Sequence, residues 1–531
     1  MANSFTYVPY QETGYFSHLV TDYLGGHKDI QPFYNYAADE KGVAKAIEER
    51  CKYPVNRQVL VAALTKQYSN LVTTPETEKN IQLLLRENTF TVCTAHQPNL
   101  LTGYLYFIYK ILHAIKLAEQ LNELHPDKHF VPVYYMGSED NDIEELGSFR
   151  FGDKKFVWNG DGQQGAVGHM NTKGLKPILD ELFKLFGPPG KNCDDLQNIL
   201  TTAYLQHNTI AAATQYLVNE LFGRYGLVVA DPDEASLKAT FIPVMRDELL
   251  HGQSYPIVTG QVEKLATHYK IQAYPRPVNL FYLADGLRER IEKTGDKWAV
   301  VNSDKKWNQS EILQELERNP ERFSPNVILR GLYQETILPN VAFIGGGSEV
   351  AYWMQLNSLF AHYHVFFPCI FLRQSVLWIR PSESRLRQQL EFNIPDIFKP
   401  ELDLVHDYIS AHTTDDWHTE EEAIAIATIF ESLETKATSL DPTLSGAAKA
   451  ALTKMKYQLT VLEKKMLRAE KKKMQVEVLR IEKLKKILFP DNSLQERIEN
   501  FSAYYLEYGP SFFDIIKNGI APLAPHFLVV E

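Results

Sequence analysis

Two polar loops, TAHQPNLLTG (residues 94–103) and GSEDNDIEE (residues 137–145), each follow a short hydrophobic run that predicts a strand. Between them, residues 104–124 carry apolar side chains at helical spacing. The order strand, polar loop, helix, strand, acidic loop is typical of the opening unit of a parallel sheet. Ligands of such sheets bind beyond the carboxyl ends of the strands, so we predict that both loops form walls of a binding site.

Strand and helix patterns alternate through the middle of the chain, which favours a doubly wound α/β core. The predicted strands cover residues 90–93, 130–136, 226–230, 278–283, 327–329, 341–344 and 365–370. We predict a mostly helical N-terminal layer at residues 1–85 and a Rossmann-like parallel-sheet core at residues 86–380. Helical insertions near 152–221 and 237–269 would interrupt this core.

After Pro381 the strand patterns nearly vanish, and a charged helical segment follows. Apolar residues step by three and four alternately from Leu452 to Ala469, which predicts a coiled coil with a slip around residues 471–473. We therefore predict an α-helical coiled-coil domain at 381–490 and a C-terminal segment, 491–531, that packs back on the core. Residues 448–487 contain thirteen Lys or Arg against four Glu, which suits a solvated hairpin or dimer contact, or a surface for a polyanion such as tRNA. We favour the hairpin or dimer.

Composition restricts the class of protein. The 531 residues with 44% hydrophobic content can bury a large core, and a formal charge of −11 argues against a general nucleic-acid binder. The N-terminus has no targeting pattern and no stretch is long enough to cross a bilayer, so a cytoplasmic protein without a membrane partner is expected. Four widely spaced cysteines with no C-x-x-C pair indicate neither a disulfide framework nor a thiolate zinc site, and we assign no metal ligand.

The first loop contains a histidine that could carry chemistry. His96 follows a predicted strand, and its neutral imidazole could donate to a phosphate or act as a base; it could equally tie the loop to the backbone. Thr102 could cap the following helix, and Gly103 would let an anion approach the backbone. Lys110, near the middle of that helix, is expected to face solvent.

The second loop is densely acidic. Glu139, Asp140 and Asp142 follow a buried strand, and carboxylates this close require a cationic partner, such as a substrate ammonium, Mg²⁺, or nearby Arg and Lys. Glu144 and Glu145 suit the start of a helix, where acids complement the helix dipole.

A third polar turn, IGGGSE (residues 344–349), lies between a strand and a helix. Its glycines permit a backbone nest for a phosphate or carboxylate, although a tight structural turn explains them equally well. They fit neither G-x-G-x-x-G nor a P-loop. Upstream, Arg330 could clamp a carboxylate with two hydrogen bonds or form a structural salt bridge.

Taken together, these stretches resemble the bacillithiol biosynthesis cysteine-adding enzyme family, whose members are described as cysteine ligases. The resemblance spans nearly the whole chain and is carried by residues 96–103, 105–106, 110, 131–133, 138–142, 324–327, 338–339, 342–346, 352–353, 488–490 and 494–497. The chain departs from the family pattern at Ala95, His96, Tyr104 and Asn141, where glycine, glutamine, proline and histidine are common. The last departure weakens any role for a base at position 141.

The resemblance implies a Rossmann-like core related to nucleotidylyl-transferases and class I aminoacyl-tRNA synthetases, and a coiled coil that forms a homodimer. It also implies a reaction in which the carboxyl of L-cysteine forms an amide with the amine of glucosaminyl-malate. Because amide formation from a free carboxylate is uphill in water, an activated cysteinyl intermediate is expected, made with ATP. The expected cofactor is therefore ATP or ADP, which Mg²⁺ could accompany. The alternative is a synthetase-like protein that binds tRNA through the basic arm.

The residues expected to act on this hypothesis fall into three groups. The catalytic residues would be His96, Gln97, Thr102, Gly103, Glu139, Asp140 and Asp142. The substrate-binding residues would be Asn99, Tyr106, Ser138, Asn326, Arg330, Gly345, Gly346, Gly347, Glu349 and Tyr352. A second, nucleotide-binding pocket implied by the resemblance would include Pro490, Asp491, Asn492, Ser493, Arg497 and Tyr508.

Overall fold

The computed structural model describes residues 4–413 and 418–531. Parts of two predicted segments, residues 1–3 and 414–417, lie outside the described residues. The strands are β1 (Phe5–Pro9), β2 (Thr89–His96), β3 (His129–Met136), β4 (Ser148–Phe151), β5 (Lys154–Val157), β6 (Val228–Ala230), β7 (Leu280–Ala284), β8 (Leu287–Thr294), β9 (Lys297–Val300), β10 (Lys306–Asn308), β11 (Phe323–Pro325), β12 (Asn340–Gly345), β13 (Cys369–Leu372), β14 (Val376–Trp378) and β15 (His526–Val530).

The α-helices follow in chain order between these strands. They are α1 (Tyr10–Thr13), α2 (His18–Leu24), α3 (Glu40–Arg50), α4 (Arg57–Tyr68), α5 (Pro75–Leu83), α6 (Leu105–Leu124), α7 (Ile143–Leu146), α8 (Lys176–Phe183), α9 (Lys191–Gln206), α10 (Ile210–Phe222), α11 (Ala235–Ala239), α12 (Ile242–His251), α13 (Ser254–Leu265), α14 (Gln309–Arg318), α15 (Val327–Ile337), α16 (Gly347–Trp353), α17 (Asn357–His362), α18 (Pro381–Gln389), α19 (Glu401–His412), α20 (Glu420–Leu440), α21 (Leu444–Lys473), α22 (Gln475–Leu488), α23 (Ser502–Tyr508) and α24 (Ser511–Gly519). Among the described residues, no helix combines the length and apolar composition that crossing a bilayer requires.

The centre of the fold is a parallel sheet in the order β13-β12-β2-β3-β6. Strands β2 and β3 are buried along almost their full length, as expected for a sheet covered on both faces. Helix α6 connects them and is buried on nearly all sides. The α/β core predicted from the alternating pattern, which the resemblance implies to be Rossmann-like, is therefore confirmed.

Two predicted strands differ from the structure. The run 278–283 forms β7, which belongs to a separate antiparallel sheet in the order β10-β9-β8-β7-β11 and not to the parallel core. A short apolar run fits either kind of sheet, so the run alone could not assign it. The run 327–329 begins helix α15, because the Asn326 side chain accepts a hydrogen bond from the Ile328 N–H (2.9 Å) and caps that helix.

The described residues form two compact units, which we call the core unit and the helical unit. The core unit contains the chain up to Trp378 together with Ser493–Val530, and the helical unit contains Ile379–Asn492 with Glu531. Within the core unit, β15 lies between β1 and β14 in a three-stranded sheet. The two ends of this unit are therefore joined by one sheet.

The helical unit contains the paired helices α20 and α21. Glu434 contacts Lys449 (3.4 Å), whereas Thr419, before the start of α20, donates to Glu463 (2.7 Å), so the two helices run antiparallel. Helix α21 ends at Lys473, and Met474 has non-helical dihedral angles before α22 begins. This break coincides with the predicted slip in the heptad pattern.

Candidate active site at the carboxyl edge of the sheet

A cavity of about 830 Å³ lies at the carboxyl ends of the parallel strands in the core unit. The wall includes the ends of β2 and β3, the turn after β12 and the residue after β13. Predicted site residues in the wall are His96, Gln97, Tyr106, Glu139, Asp140, Asn326, Arg330, Gly346, Gly347, Glu349, Tyr352 and Arg497. The prediction that the polar loops meet at this edge therefore agrees with the geometry.

Lys110 lies at the floor of this cavity, so the prediction that it faces solvent is wrong. Its side chain is buried, forms an ion pair with Glu349 and donates to the Ala95 carbonyl (2.8 Å). Burial lowers the pKa of Lys110, and the Glu349 carboxylate opposes that change. The same Glu349 oxygen accepts from the Gly346 N–H (2.8 Å), so Lys110 and the glycine turn share one carboxylate.

His96 stands beside this floor. Its ring lies 5.4 Å from the Tyr106 ring and 5.3 Å from the Phe107 ring. Burial, with the nearby cations Lys110 and Arg373, holds the pKa of His96 well below its usual range, so the imidazole is neutral near pH 7. Its Nε2 atom is inaccessible and has no hydrogen-bond partner among the residues that the structure describes. A neutral imidazole has one donor and one acceptor nitrogen, so the unpaired Nε2 leaves unused hydrogen-bonding capacity at the cavity wall.

Arg373 closes the far side of the floor and is fixed by a buried ion pair with Glu496 (2.6 Å). Glu496 also accepts a hydrogen bond from the Ser375 hydroxyl (3.0 Å). The Gln495 side chain accepts from the Trp378 N–H and donates to the Trp378 carbonyl. These contacts fix the segment that carries Arg497, and this arginine reaches the cavity wall. Arg497 was predicted in the second pocket, but the structure places it here.

Arg330 enters the cavity from helix α15. Its guanidinium donates to the Tyr352 hydroxyl and to Gln334 (3.3 Å), and it lies 5.7 Å from the Tyr135 ring. No carboxylate of the described chain lies within ion-pair distance of it. A structural salt bridge was one interpretation of Arg330; the geometry favours the other, a cation available to an anionic ligand.

The acidic loop divides into a paired part and an open part. Glu139 is buried in the wall and forms an ion pair with Lys238, a fully buried lysine that also donates to the Phe323 carbonyl (2.9 Å). Behind it, Ser138 donates to Asp231 (2.6 Å), and burial, with the adjacent Asp233, raises the pKa of Asp231 to about 7. The required cationic partner of Glu139 is thus a lysine of the protein itself.

Asp140 and Glu145 remain open to the cavity. Asp140 accepts from the Gln97 amide (3.1 Å), which links the two polar loops. Burial and the neighbouring acids raise the pKa of Glu145. Asp142, in contrast, is the N-cap of α7, where it accepts from the Glu145 N–H (3.1 Å), and it does not line the cavity.

The turn before α6 also lies outside the cavity wall. Thr102 and Gly103 have positive φ angles of 63° and 67°; both are buried, as is Asn99, and none of the three lines the cavity. The residue that caps α6 is Tyr104, so the prediction that Thr102 caps this helix is wrong. The first N–H group of the helix, at Leu105, donates to the Glu499 carbonyl (2.8 Å) and is already occupied.

The remaining predicted residues lie away from the cavity wall. Ser138 and Gly345 are buried and are chain neighbours of wall residues, but they do not line the cavity. Pro490, Asp491 and Asn492 belong to the helical unit, whereas Ser493 and Tyr508 belong to the core unit, where the Tyr508 ring lies 5.0 Å from the Trp378 ring. The second pocket stays a prediction.

Several wall residues were missed by the sequence analysis. They include Lys110, Glu145, Tyr274, Arg276, Phe281, Arg288, Ser324 and Arg373. Arg373 directly follows β13, so the rule that sites lie at carboxyl ends of strands could have found it. Arg288 follows Asp285-Gly286, a two-residue hairpin signal that indicates an antiparallel insertion but not its position over the cavity.

The cavity wall carries more unpaired positive than negative charge. Arg276, Arg288, Arg330 and Arg497 have no carboxylate within 4 Å in the described parts of the chain, whereas the unpaired acids are Asp140 and Glu145. Clusters of three or more metal-binding side chains are absent from the described residues. The wall therefore suits a ligand with several oxyanion groups and an ammonium group.

Comparisons with known proteins agree with this architecture. Residues 4–374 match the family model "Bacillithiol biosynthesis BshC, N-terminal Rossmann-like domain", and residues 376–531 match "Bacillithiol biosynthesis BshC, C-terminal coiled-coil domain". A solved structure named "putative arginyl t-RNA synthetase", from Campylobacter jejuni, is 11% identical, and the match covers 80% of this chain and all of that chain. Its TM-score of 0.21 is too low to support an argument.

Relatives match over nearly their full length. A protein of Flavobacterium johnsoniae named "Putative cysteine ligase BshC" is 41% identical, covering 98% of this chain and 99% of the relative. A protein of the same name from Flavobacterium psychrophilum is 40% identical, covering 99% of this chain and 99% of the relative. Another from Bacillus cereus is 27% identical, covering 96% of this chain and 97% of the relative. The chain therefore belongs to the BshC family of bacillithiol biosynthesis proteins.

Proposed function

We propose that this protein is a ligase that joins the carboxyl group of L-cysteine to the amine of glucosaminyl-malate to give bacillithiol. Family membership supports the pathway, and the names of the relatives support cysteine as a substrate. The observation that carries the proposal is the cavity, because its unpaired arginines suit malate carboxylates or phosphates and its open acids suit an ammonium group. Its volume of about 830 Å³ is large enough for a drug-sized ligand.

The reaction requires activation of the cysteine carboxyl. A carboxylate oxygen would attack a phosphorus atom of ATP and release pyrophosphate or ADP. The amine would then attack the acyl carbon, release AMP or phosphate, and lose a proton to complete the amide. Mg²⁺ would accompany the nucleotide phosphates as their counterion.

The residues of the floor would stabilise the activated carboxyl. His96, Lys110 and Arg373 present one unused imidazole nitrogen and two cations where β2 and β13 end. Negative charge that develops on the acyl oxygen is stabilised by donors that are already in place. Arg330 would hold a carboxylate of the second substrate, while Asp140 and Glu145 would hold an ammonium.

The first test incubates the protein with L-cysteine, glucosaminyl-malate and Mg²⁺, with and without ATP, and measures bacillithiol by mass spectrometry. Product that requires ATP and appears with AMP or ADP supports the ligase. Arg330→Met should lower kcat/KM about tenfold or more, whereas Arg318→Met, an exposed residue of α14, should have no effect. Product without ATP would contradict the proposed activation.

We also propose that the helical unit forms the homodimer that the family resemblance implies. Apolar side chains on α20 and α21 are exposed, among them Leu433 (46%) and Leu462 (49%). Leu462→Glu should yield a monomer in light scattering after size exclusion, whereas Thr460→Glu, also exposed on α21, should leave a dimer. A monomeric wild-type protein would contradict this proposal.

The alternative function is RNA binding through the basic face of α21, where Lys464, Lys465 and Arg468 are exposed. Phosphate contacts would make tRNA affinity fall steeply with salt. We expect no such binding. The cytoplasmic location predicted from the sequence stays a prediction.

A further inference from the structure

Arg288 enters the cavity wall from the inserted antiparallel sheet. Its guanidinium lies 4.0 Å from the centre of the Phe281 ring on the neighbouring strand β7. Its Nη1 donates to the Asn141 side-chain oxygen (3.0 Å), and the Asn141 amide approaches the Arg288 carbonyl (3.4 Å). Asn141 belongs to the acidic loop after β3, so this pair joins that loop to the inserted sheet.

The guanidinium still has unused donors. Among the described residues, none accepts a hydrogen bond from its Nη2 atom or from its buried Nε atom, and none of their carboxylates lies within 4 Å of the guanidinium. Leaving a buried donor unsatisfied costs free energy, more so for a charged group. Phe281 and Asn141 hold the guanidinium in one place, so little rotamer entropy remains to be lost when a ligand binds.

Arg288 differs in this respect from Arg330. Arg330 donates hydrogen bonds to Tyr352 and to Gln334, whereas Arg288 donates one hydrogen bond, to the neutral side-chain amide of Asn141. Arg288 is also presented by a different element, the sheet that the sequence inserts after the β6 region. Arg288 and Arg330 are thus two guanidinium groups without a carboxylate partner among the described residues, and separate elements hold them in the cavity wall.

We infer that Arg288 is a second oxyanion-binding residue of this cavity and that Asn141 is its positioning residue. The ligand group is a carboxylate or a phosphate, which a planar guanidinium binds through paired hydrogen bonds. This inference deepens the proposed function, because the group would belong to the second substrate or to the activating nucleotide. It also gives position 141 a role that requires no base.

The test is calorimetric titration of the full chain with L-malate, inorganic phosphate or pyrophosphate. Arg288→Gln should weaken at least one of these oxyanions about tenfold or more, and Asn141→Ala should weaken the same one by a smaller factor. Loss of malate binding would assign Arg288 to the substrate carboxylate, and loss of phosphate or pyrophosphate binding would assign it to the nucleotide. Arg290→Gln removes the same charge on the same strand outside the cavity wall and should change nothing.

Two results would overturn the inference. One is equal binding of all three anions by wild-type protein and Arg288→Gln, and the other is no binding of any of them by wild-type protein. If Arg288→Gln does not fold, Arg288→Lys replaces it, because lysine keeps the charge but cannot keep the paired geometry. This test measures binding, not turnover. If Arg288→Gln binds all three anions as wild-type protein does and still forms bacillithiol, the proposed ligase function stands and only the role of Arg288 is refuted.

Discussion

Lys110 on α6 and Glu349 on α16 form an ion pair beneath the cavity. The two residues follow β2 and β12, which are neighbours in the parallel sheet. Because Lys110 also donates to Ala95 and Glu349 accepts from Gly346, the pair fixes two strand-to-helix turns relative to each other. This buried charge pair therefore fixes one side of the floor, and the Arg373–Glu496 pair fixes the other.

Removing one member of that pair should be costly. Lys110→Met leaves the Glu349 carboxylate without its cation, and we expect a loss of about 3–5 kcal/mol in the free energy of unfolding, measured by urea denaturation. Adding Glu349→Gln should recover part of this loss. Lys116→Met, on the same helix, removes only a partly exposed pair with Glu119 and should cost less than about 1 kcal/mol. Equal losses in Lys110→Met and Lys116→Met would contradict the structural role.

Glu335 should make stability depend on pH. It is buried, and burial, opposed by Arg50, raises its pKa to about 7. Between its unfolded pKa, near 4.5, and about 7, the folded state binds more protons than the unfolded state, so stability falls as pH rises through this window. The total is roughly 3 kcal/mol.

The matched comparison is Glu335→Gln, which cannot ionise. Urea denaturation at several pH values should show wild-type protein losing stability relative to this variant between about pH 5 and pH 7, with no further change above. A difference between the two proteins that does not vary with pH would contradict the raised pKa.

His96 and His169 should titrate on opposite sides of the ordinary histidine pKa. Burial and the cations Lys110 and Arg373 lower the pKa of His96, whereas the hydrogen bond to Asp233 raises that of His169. Histidine NMR signals, assigned with His96→Gln and His169→Gln, should show His169 gaining its proton first as pH falls. The reverse order would contradict a neutral His96.

Gly103 should be required for folding of the first polar loop. Its φ is +67°, and a Cβ there would lie 3.0 Å from the Asn99 Cβ. We expect Gly103→Ala to lower the free energy of unfolding by about 1–3 kcal/mol. Gly260→Ala, in helix α13 with open space around it, should instead be neutral or stabilise by up to about 1 kcal/mol.

The sequence was sufficient to predict the parallel strands that lead to the site, but not the antiparallel sheet that contributes Arg288 to its wall. Residues 90–93 and 130–136 lie in strands buried on both faces, and such strands appear as unbroken apolar runs. Strand β8 instead reads LRERIEKT, with charges at most positions, and takes its place from its neighbours β7 and β9. Tertiary pairing determines such a strand more than its own composition does.

Within the site, the sequence located the loops but not the charge pairing. Lys110 was expected at the surface because lysine is almost never buried without a partner, and its partner is 239 positions away in the chain. Arg288 was missed for the same reason, since Asn141 and Phe281 meet it only in the folded protein. Contacts between distant segments determine the protonation and position of these groups.

The central place of β15 between β1 and β14 has a consequence for synthesis of the chain. Neither neighbour has another partner in that sheet, and β15 is separated from β14 by the whole helical unit. A ribosome adds about 5–20 residues per second, so β14 waits on the order of ten seconds for β15, and β1, near the start of the chain, waits several times longer. During that interval the nascent chain exposes strand edges that other chains could pair with, and the helical unit must fold while the core is still open.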